Sequence, residues 1–247
     1  MNIRTIILLV IIIVLLILVI SYYTKDVTKL TGLVDGKTMK KIEATSLTSS
    51  GNSSDTGSSN YSYSIWFYID DWNYRYGEPK VLYGRMTPSQ DGQGLDPCPS
   101  VVLGAVENNL AISLAVYPGL EEVPKNGNGY IVHNCGIANI PLQKWVNLLI
   151  SVYGRSLDVY LDGKLVRTCL LPGVAKVNAN SPVYITPKGG FSGWTSKFQY
   201  WANATEPQKA YNIYKEGYGS STLGFLGKYT VKISVMEGDV EQKSITI

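Results

Sequence analysis

Histidine is nearly absent: His133 is the single copy in 247 residues. That excludes a histidine-rich zinc site and leaves little for histidine-dependent acid–base catalysis. Cysteine is scarce too. Cys98, Cys135 and Cys169 are too few for a disulfide framework, and no two stand at C-x-x-C spacing. Charge is sparse and nearly balanced, 22 basic against 19 acidic residues for a formal +3, so nothing marks a nucleic-acid footprint. Phenylalanine is short at 4 residues, whereas tyrosine has 18 and tryptophan 5. With 24 glycines, this composition reads as an all-β domain with amphipathic aromatic surfaces. The length suits one sizeable domain with appendages.

What is present begins with an apolar segment. Ile6–Ile20 is an unbroken apolar run inside a stretch from Thr5 to Tyr23. As a helix that stretch would reach about 28 Å, close to the thickness of a bilayer core. Tyr22 and Tyr23 stand where an interfacial aromatic belt would lie. Ser21-Tyr22-Tyr23-Thr24-Lys25 offers no small-residue cleavage site, which argues against a secretory signal peptide. The run has no polar face, which argues against a core helix. The expectation is an uncleaved single transmembrane helix within residues 1–24. Lys25, Lys29, Lys37, Lys40 and Lys41 outnumber Arg4 across the span, which places the C-terminal part on the cytosolic side. Three N-x-S/T sequons, at Asn52, Asn60 and Asn203, are candidate glycosylation sites and point the other way. The lysine bias is taken as the stronger signal.

Residues 25–60 read as a basic, then Ser/Thr/Gly-rich linker. Ile42–Asn60 is nearly all small polar residues, a flexible tether with an r.m.s. reach of about 25 Å. After Asn60 the period changes to two. Tyr63, Ile65 and Phe67 line one face of an early strand, and Leu110, Ile112, Leu114 and Val116 one face of another. Val146, Leu148, Ile150 and Val152 alternate after Trp145. Asp162-Gly163 between two alternating runs is a strong hairpin signal. Glu206–Lys215 is the one helical segment, with Pro207 in its first turn and Gly217 as its stop. Many short strands with turn signals indicate a sandwich. Beyond it, Tyr229–Val235 and Gln242–Ile247 alternate around Gly238-Asp239, so residues 220–247 read as a β-hairpin arm.

Trp145 leading a strand, then Tyr160-Leu161-Asp162-Gly163-Lys164-Leu165-Val166, resembles the hairpin of concanavalin A-like, laminin-G-type jelly rolls. Gly189-Gly190-Phe191-Ser192-Gly193-Trp194 through Gln199-Tyr200-Trp201 is similar to that family's late strand, and Pro207–Lys215 falls at its short helix. The resemblance covers residues 61–219. It implies an all-β, concanavalin A-like antiparallel β-sandwich, here preceded by one N-terminal transmembrane α-helix. Trp66 to Tyr74, Ile140 to Leu148 and Gly154 to Tyr160 are similar to membrane-anchored laminin-G-type proteins of nucleocytoplasmic large DNA viruses. That likeness implies a virion protein on an internal membrane facing the capsid, reached by way of a host membrane during assembly. Such viruses often encode thiol oxidases, which would permit a disulfide in the cytosol.

Glycosidases on this fold use acids spaced along a strand. Glu237-Gly238-Asp239-Val240-Glu241 fits that spacing formally, but it lies outside the family-like region and reads as a turn. His133 and Cys135 could share a strand face as a nucleophile pair, which would need an orienting third group; a lone histidine near a cysteine in a tyrosine-rich β domain reads instead as structural. Asp70-Asp71 and Asp91/Asp96 are the local acidic groups that could approach calcium, and both read as solvated loops. The expectation is therefore no catalytic residue, no metal and no cofactor. Cys98, between Pro97 and Pro99, could bridge Cys135, closing a loop of about 37 residues worth roughly 3–4 kcal/mol. A reducing cytosol would leave three thiols instead. Trp72, Tyr74, Trp194 and Trp201 are the candidate interface aromatics, suited to protein contacts or to sugars. The expected function is structural: a membrane-anchored minor capsid protein joining an internal viral membrane to the shell. The alternative is a membrane-anchored, carbohydrate-binding surface protein. The expected partners are lipid, other virion proteins and glycans, with no nucleic acid.

Overall fold

The computed structural model describes residues 11–12, 15–16, 28–48, 59–88, 95–118, 130–219, 232–237 and 240–246. They divide into two compact units, one of Val27–Tyr218 and one of Met1–Asp26 with Gly219–Ile247. The expected anchor residues Thr5, Ile6, Ile20, Tyr22 and Tyr23 lie outside the described residues. Among the described residues, no helix is long and apolar enough to cross a membrane.

The larger unit is a sandwich of two antiparallel sheets. Its strands are β1 (Val34–Asp35), β2 (Lys40–Ile42), β3 (Tyr61–Asp71), β4 (Lys80–Pro88), β5 (Leu95–Leu103), β6 (Leu110–Pro118), β7 (Ile131–Ile137), β8 (Trp145–Tyr153), β9 (Ser156–Leu161), β10 (Lys164–Leu170), β11 (Gly173–Ala175), β12 (Val183–Ile185) and β13 (Ser192–Trp201). Two helices accompany them, α1 (Ala44–Thr48) and α2 (Pro207–Lys215). One sheet has six strands in the order β1-β13-β3-β8-β9-β10. The other runs β11-β6-β5-β4-β12-β2, with β7 also paired to β6.

Period-two alternation does what it predicts. Tyr61, Tyr63, Ile65, Phe67 and Ile69 of β3 point inward, and meet Val101 and Leu103 of β5 and Ile112 and Leu114 of β6 in one apolar core. Arg85 is also buried, its guanidinium donating to the carbonyls of Ser181 and Ala179 at 3.0 Å each. Those bonds offset the cost of burying the charge.

The expected linker is corrected by the structure. Residues 28–48 are built into the sandwich: the amide of Leu30 donates to Phe198, β1 pairs with β13, and β2 pairs with β12 in the opposite sheet. Ile42 and Leu47 enter the core. These two, with Leu30 packed against the core from its margin, recruit the stretch, because the edges of β13 and β12 offer open backbone hydrogen bonds. Residues 49–58 lie outside the described set.

Thr28 joins beside Tyr200, and the chain then runs antiparallel to β13 as far as Asp35 opposite Trp194. This defines two ends. The near end, where Thr28 joins, holds the start of β3 and the ends of β8, β10 and β13. The far end holds the end of β3 and the starts of β8 and β13.

The expected Cys98–Cys135 bridge is also corrected. The disulfide joins Cys135 on β7 to Cys169 on β10, edge strands of opposite sheets whose Cα atoms stand 6.2 Å apart. Cys98 is buried in a separate small cluster with Ala115 and Tyr130, outside the core that holds the other two. In the smaller unit, β14 (Lys232–Glu237) and β15 (Val240–Thr246) pair antiparallel as a sheet of their own.

Candidate functional site

The outward face of the six-stranded sheet carries the chemistry-bearing side chains. Residues directly opposite across an antiparallel ladder share a face. The registers Asp35↔Trp194, Trp194↔Tyr68 and Tyr68↔Trp145 therefore lay one carboxylate and three aromatic rings in a row at the far end. The centroids of Trp194 and Tyr68 are 5.7 Å apart, as are those of Tyr68 and Trp145. Tyr218 extends the row, its ring stacked on Trp145 at 4.4 Å and 10°. Trp194 is 41% exposed and Tyr218 45% exposed, so the row is open to solvent at both margins.

Local sequence sets this geometry. Gly193 sits at a register shift with φ 147°, and a Cβ there would lie 1.8 Å from the Tyr68 carbonyl oxygen. Only glycine lets β13 approach β3 closely enough to place Trp194 beside Tyr68. Ser196 Oγ donates to the Tyr218 carbonyl at 2.7 Å, which ties the segment after α2 back to the sheet. The amide of Lys37 donates to Asp35 Oδ1 at 2.7 Å, which orients that carboxylate at the end of the row.

Towards the near end the same face is sealed. Helix α2 packs Ala210 and Ile213 against Leu149 and Tyr160, with Trp201 at the margin. Trp66 is buried and stacks on Tyr214 at 5.7 Å. The helix runs from the near end towards the far end, where the Asp162-Gly163 turn, bonded to Asn147, receives its last turn closely: a Cβ on Gly163 would lie 2.9 Å from Tyr214 Cβ.

Of the four aromatics singled out from the sequence, Trp194 belongs to the row and the others do not. Trp201 is half-buried beneath Lys209. Trp72 packs against the core edge, donates from Nε1 to the Val106 carbonyl at 2.9 Å, and lies under Lys80 Nζ at 4.7 Å. Tyr74 donates to the Gly189 carbonyl, with Lys37 over its ring. Sequence reasoning missed Tyr68, Trp145 and Tyr218 as partners of Trp194. Parity was the available signal: Tyr68 has the parity opposite to Phe67 and Ile69, and Trp145 the parity opposite to Val146 and Leu148.

The other candidates are scattered. The Cys135 sulfur is held in the disulfide, so His133 has no thiol partner there. Asp96 is buried in an ion pair with Lys176 at 2.5 Å, against the expectation of a solvated loop, while Asp70 and Asp71 are exposed at the end of β3. Asp91 and Asp239 lie outside the described residues. Among the described residues, no three His, Cys, Asp or Glu side chains gather where they could hold a metal. Asn60 accepts a hydrogen bond from the amide of Gly154 at 2.8 Å; Asn203 is exposed, and Asn52 lies outside the described residues.

Burial raises the hydroxyl pKa of Tyr61, Tyr63 and Tyr83 in the interior, while burial followed by repulsion from Arg75 lowers that of the Lys80 ammonium.

No protein-family model matches the chain, and no curated protein matches it either. Solved structures are similar in fold. The botulinum neurotoxin serotype D binding domain has 10% identity and a TM-score of 0.50, with 76% of this chain and 47% of that chain covered. The binding domain of botulinum neurotoxin DC in complex with SialylT has 13% identity and a TM-score of 0.46 over 63% of this chain and 35% of that one. The serotype D/C VPI 5993 binding domain has 14% identity and a TM-score of 0.45 over 63% and 36%. The chain spans less than half the length of these proteins. Identity at this level establishes the architecture alone: a β-sandwich of the jelly-roll kind.

Proposed function

We propose that this protein is a non-enzymatic, membrane-anchored, lectin-like binding protein whose far-end aromatic row takes a glycan. The observation that carries this reading is the row itself: Trp194, Tyr68 and Trp145 in register beside the Asp35 carboxylate, with Trp194 and Tyr218 open to water. The C–H faces of a pyranose stack on such rings, and a carboxylate oriented by a backbone amide accepts a sugar hydroxyl proton. Tyrosine and tryptophan also tolerate water at their polar ends while the row is empty.

Two further features favour a body outside the cytosol, opposite to the lysine bias. A disulfide persists in oxidising compartments, and Cys135–Cys169 links the two sheets. Asn203 of the sequon Asn203-Ala204-Thr205 is exposed. The anchor remains the apolar run Ile6–Ile20, whose length suits a span. The minor-capsid reading would use the same row as a protein interface on the cytosolic side, drawing on the resemblance to large-DNA-virus proteins and on a viral thiol oxidase for the disulfide.

The test uses the full chain in detergent micelles on a glycan array, beside Trp194→Ala and Trp194→Phe. Saccharide binding should weaken about tenfold or more in Trp194→Ala, as expected when a stacked ring worth over 1.4 kcal/mol is removed. Trp194→Phe should keep most of it. No binding above background, together with co-sedimentation of the chain with assembled particles, overturns the glycan reading in favour of the capsid one.

A further inference from the structure

We infer that the interior of the sandwich holds a halide ion, bound between the Arg85 guanidinium and the hydroxyls of Tyr61 and Tyr63. This site is independent of the glycan row and lies wholly within the larger unit. Arg85 carries a charge that nothing nearby matches. It is 1% exposed, and it faces the core: Arg85 is opposite Val183 and Tyr83 opposite Ile185, and both partners are core residues. Its Nε and Nη2 donate to the carbonyls of Ser181 and Ala179, which satisfies those donors and leaves the net charge in place. Among the described residues, no carboxylate stands within ion-pair distance of it, and Asp96, the one buried acid among them, is taken by Lys176. A buried guanidinium without a counter-charge is costly, and folded chains pair such charges.

The remaining arm of the guanidinium meets a cluster of phenols. Arg85 Nη1 stands 3.5 Å from Tyr63 Oη, long for a hydrogen bond. The Tyr63 ring centroid is 5.5 Å from that of Tyr61 and 5.8 Å from that of Tyr83. All three tyrosines are buried, and the hydroxyls of Tyr61 and Tyr83 have no hydrogen-bond partner. The hydroxyls of Tyr61 and Tyr63 both lie in the field of Arg85. Burial raises the pKa of these phenols, so each keeps its proton and can donate it. Several donors around one unmatched positive charge call for an acceptor that is itself negative. Water would serve the hydroxyls and leave the charge. A phosphate or carboxylate would bring more acceptor oxygens than the site can pair, because Phe198 packs on Tyr63 at 5.7 Å and on Tyr83 at 5.1 Å. A monatomic anion needs donors alone and tolerates the positive edges of aromatic rings. The carbonyls that hold Arg85 belong to a loop exposed at Asn180, which gives an ion a way in.

The experiment follows urea unfolding of the full chain in detergent micelles while chloride replaces gluconate at constant ionic strength. Chloride at about ten times its dissociation constant should raise the folding equilibrium constant about tenfold, because the folded chain alone binds it. Bromide should act in the same way. At that concentration the rise in Tyr61→Phe should shrink to about twofold, since losing a hydrogen bond to an ion weakens binding about tenfold. Without halide this variant should be at least as stable as the native chain, because the deleted hydroxyl has no partner in the protein. Arg85→Gln keeps an amide donor for the loop carbonyls but loses the charge, and should show no rise. If that variant does not fold, Tyr61→Phe carries the test alone. A native chain equally stable in both salts overturns the inference and leaves internal water as the partner of the phenols. An equal rise in the native chain and in Tyr61→Phe also overturns it, because the halide then acts at another place.

Discussion

Leu149 and Trp145 lie on the same outward face of β8, four residues apart, and have opposite surroundings. Leu149 is sealed beneath α2 by Ala210 and Ile213. Trp145 is only half-buried, in a row whose margins are open to water. The difference is one of cover more than of side-chain type. The sealed half holds aliphatic groups together with the buried aromatics Trp66 and Tyr160, and they lose their value if water enters. The open half is made of aromatics that carry their own polar atoms and keep their packing with one edge wet. A sheet face can thus contribute to the fold at one end and stay available for binding at the other, provided the helix stops in time. Gly217, with φ 75°, lies at that stop, and Tyr218 returns to the sheet straight after it.

The contrast can be broken most forcefully by loosening the whole sandwich. Cys169→Ala opens a crosslink between residues 34 apart, and should cost about 3–4 kcal/mol in urea unfolding. Reductant should reproduce the effect in the native chain and do nothing further in the variant. Next comes the seal: Ile213→Ala should cost about 2–3 kcal/mol and deprotect the amides of β8 and β9 in hydrogen exchange, with saccharide binding kept. Gly163→Ala forces a side chain onto a φ of 72° and against Tyr214 and Tyr211, and should cost about 1–2 kcal/mol. A loss confined to hydrogen-exchange protection of α2 would show that the seal acts locally, whereas global unfolding would show that the two halves are not separable. Trp194→Ala should change stability by less than about 1 kcal/mol, because its ring is already well exposed. A larger loss would mean that the row belongs to the core.

The smallest expected effect is a change of slope with pH. Lys80 is buried with its ammonium over the Trp72 ring and no hydrogen-bond partner at Nζ, and its pKa is lowered from 10.5. The folded chain therefore holds this proton more weakly than the unfolded chain does. Its penalty is full at neutral pH and relieved as pH climbs through the lowered pKa towards 10.5. Lys80→Met should be more stable than the native chain at pH 7, and the gap should narrow as the pH rises. The interior tyrosines, whose pKa values are raised, lose stability above their ordinary value of 10.0 in both proteins and so cancel from the gap. A gap that stays constant with pH would falsify the role given to Lys80.

Strands and turns were readable because their signals are local. Alternation in β3, β6 and β8 and the Asp162-Gly163 turn each depend on neighbours a few residues away. The short helix was read correctly for the same reason, through Pro207 and Gly217. The linker was misread because composition averages over a stretch, and Ile42 and Leu47 are only two residues in it. The disulfide was misread because spacing is silent on pairing: which cysteines meet depends on which strands form the two edges.

The all-β character, the period-two faces and the aromatic supply are legible residue by residue, since each follows from side-chain chemistry and short-range backbone geometry. That Trp194, Tyr68 and Trp145 stand in one row is a property of the assembled sheet. These residues come from β13, β3 and β8, strands far apart in the chain that are made adjacent by the order of the sheet. That order is chosen by burying one shared core, a free energy belonging to the whole sandwich and to no segment of it.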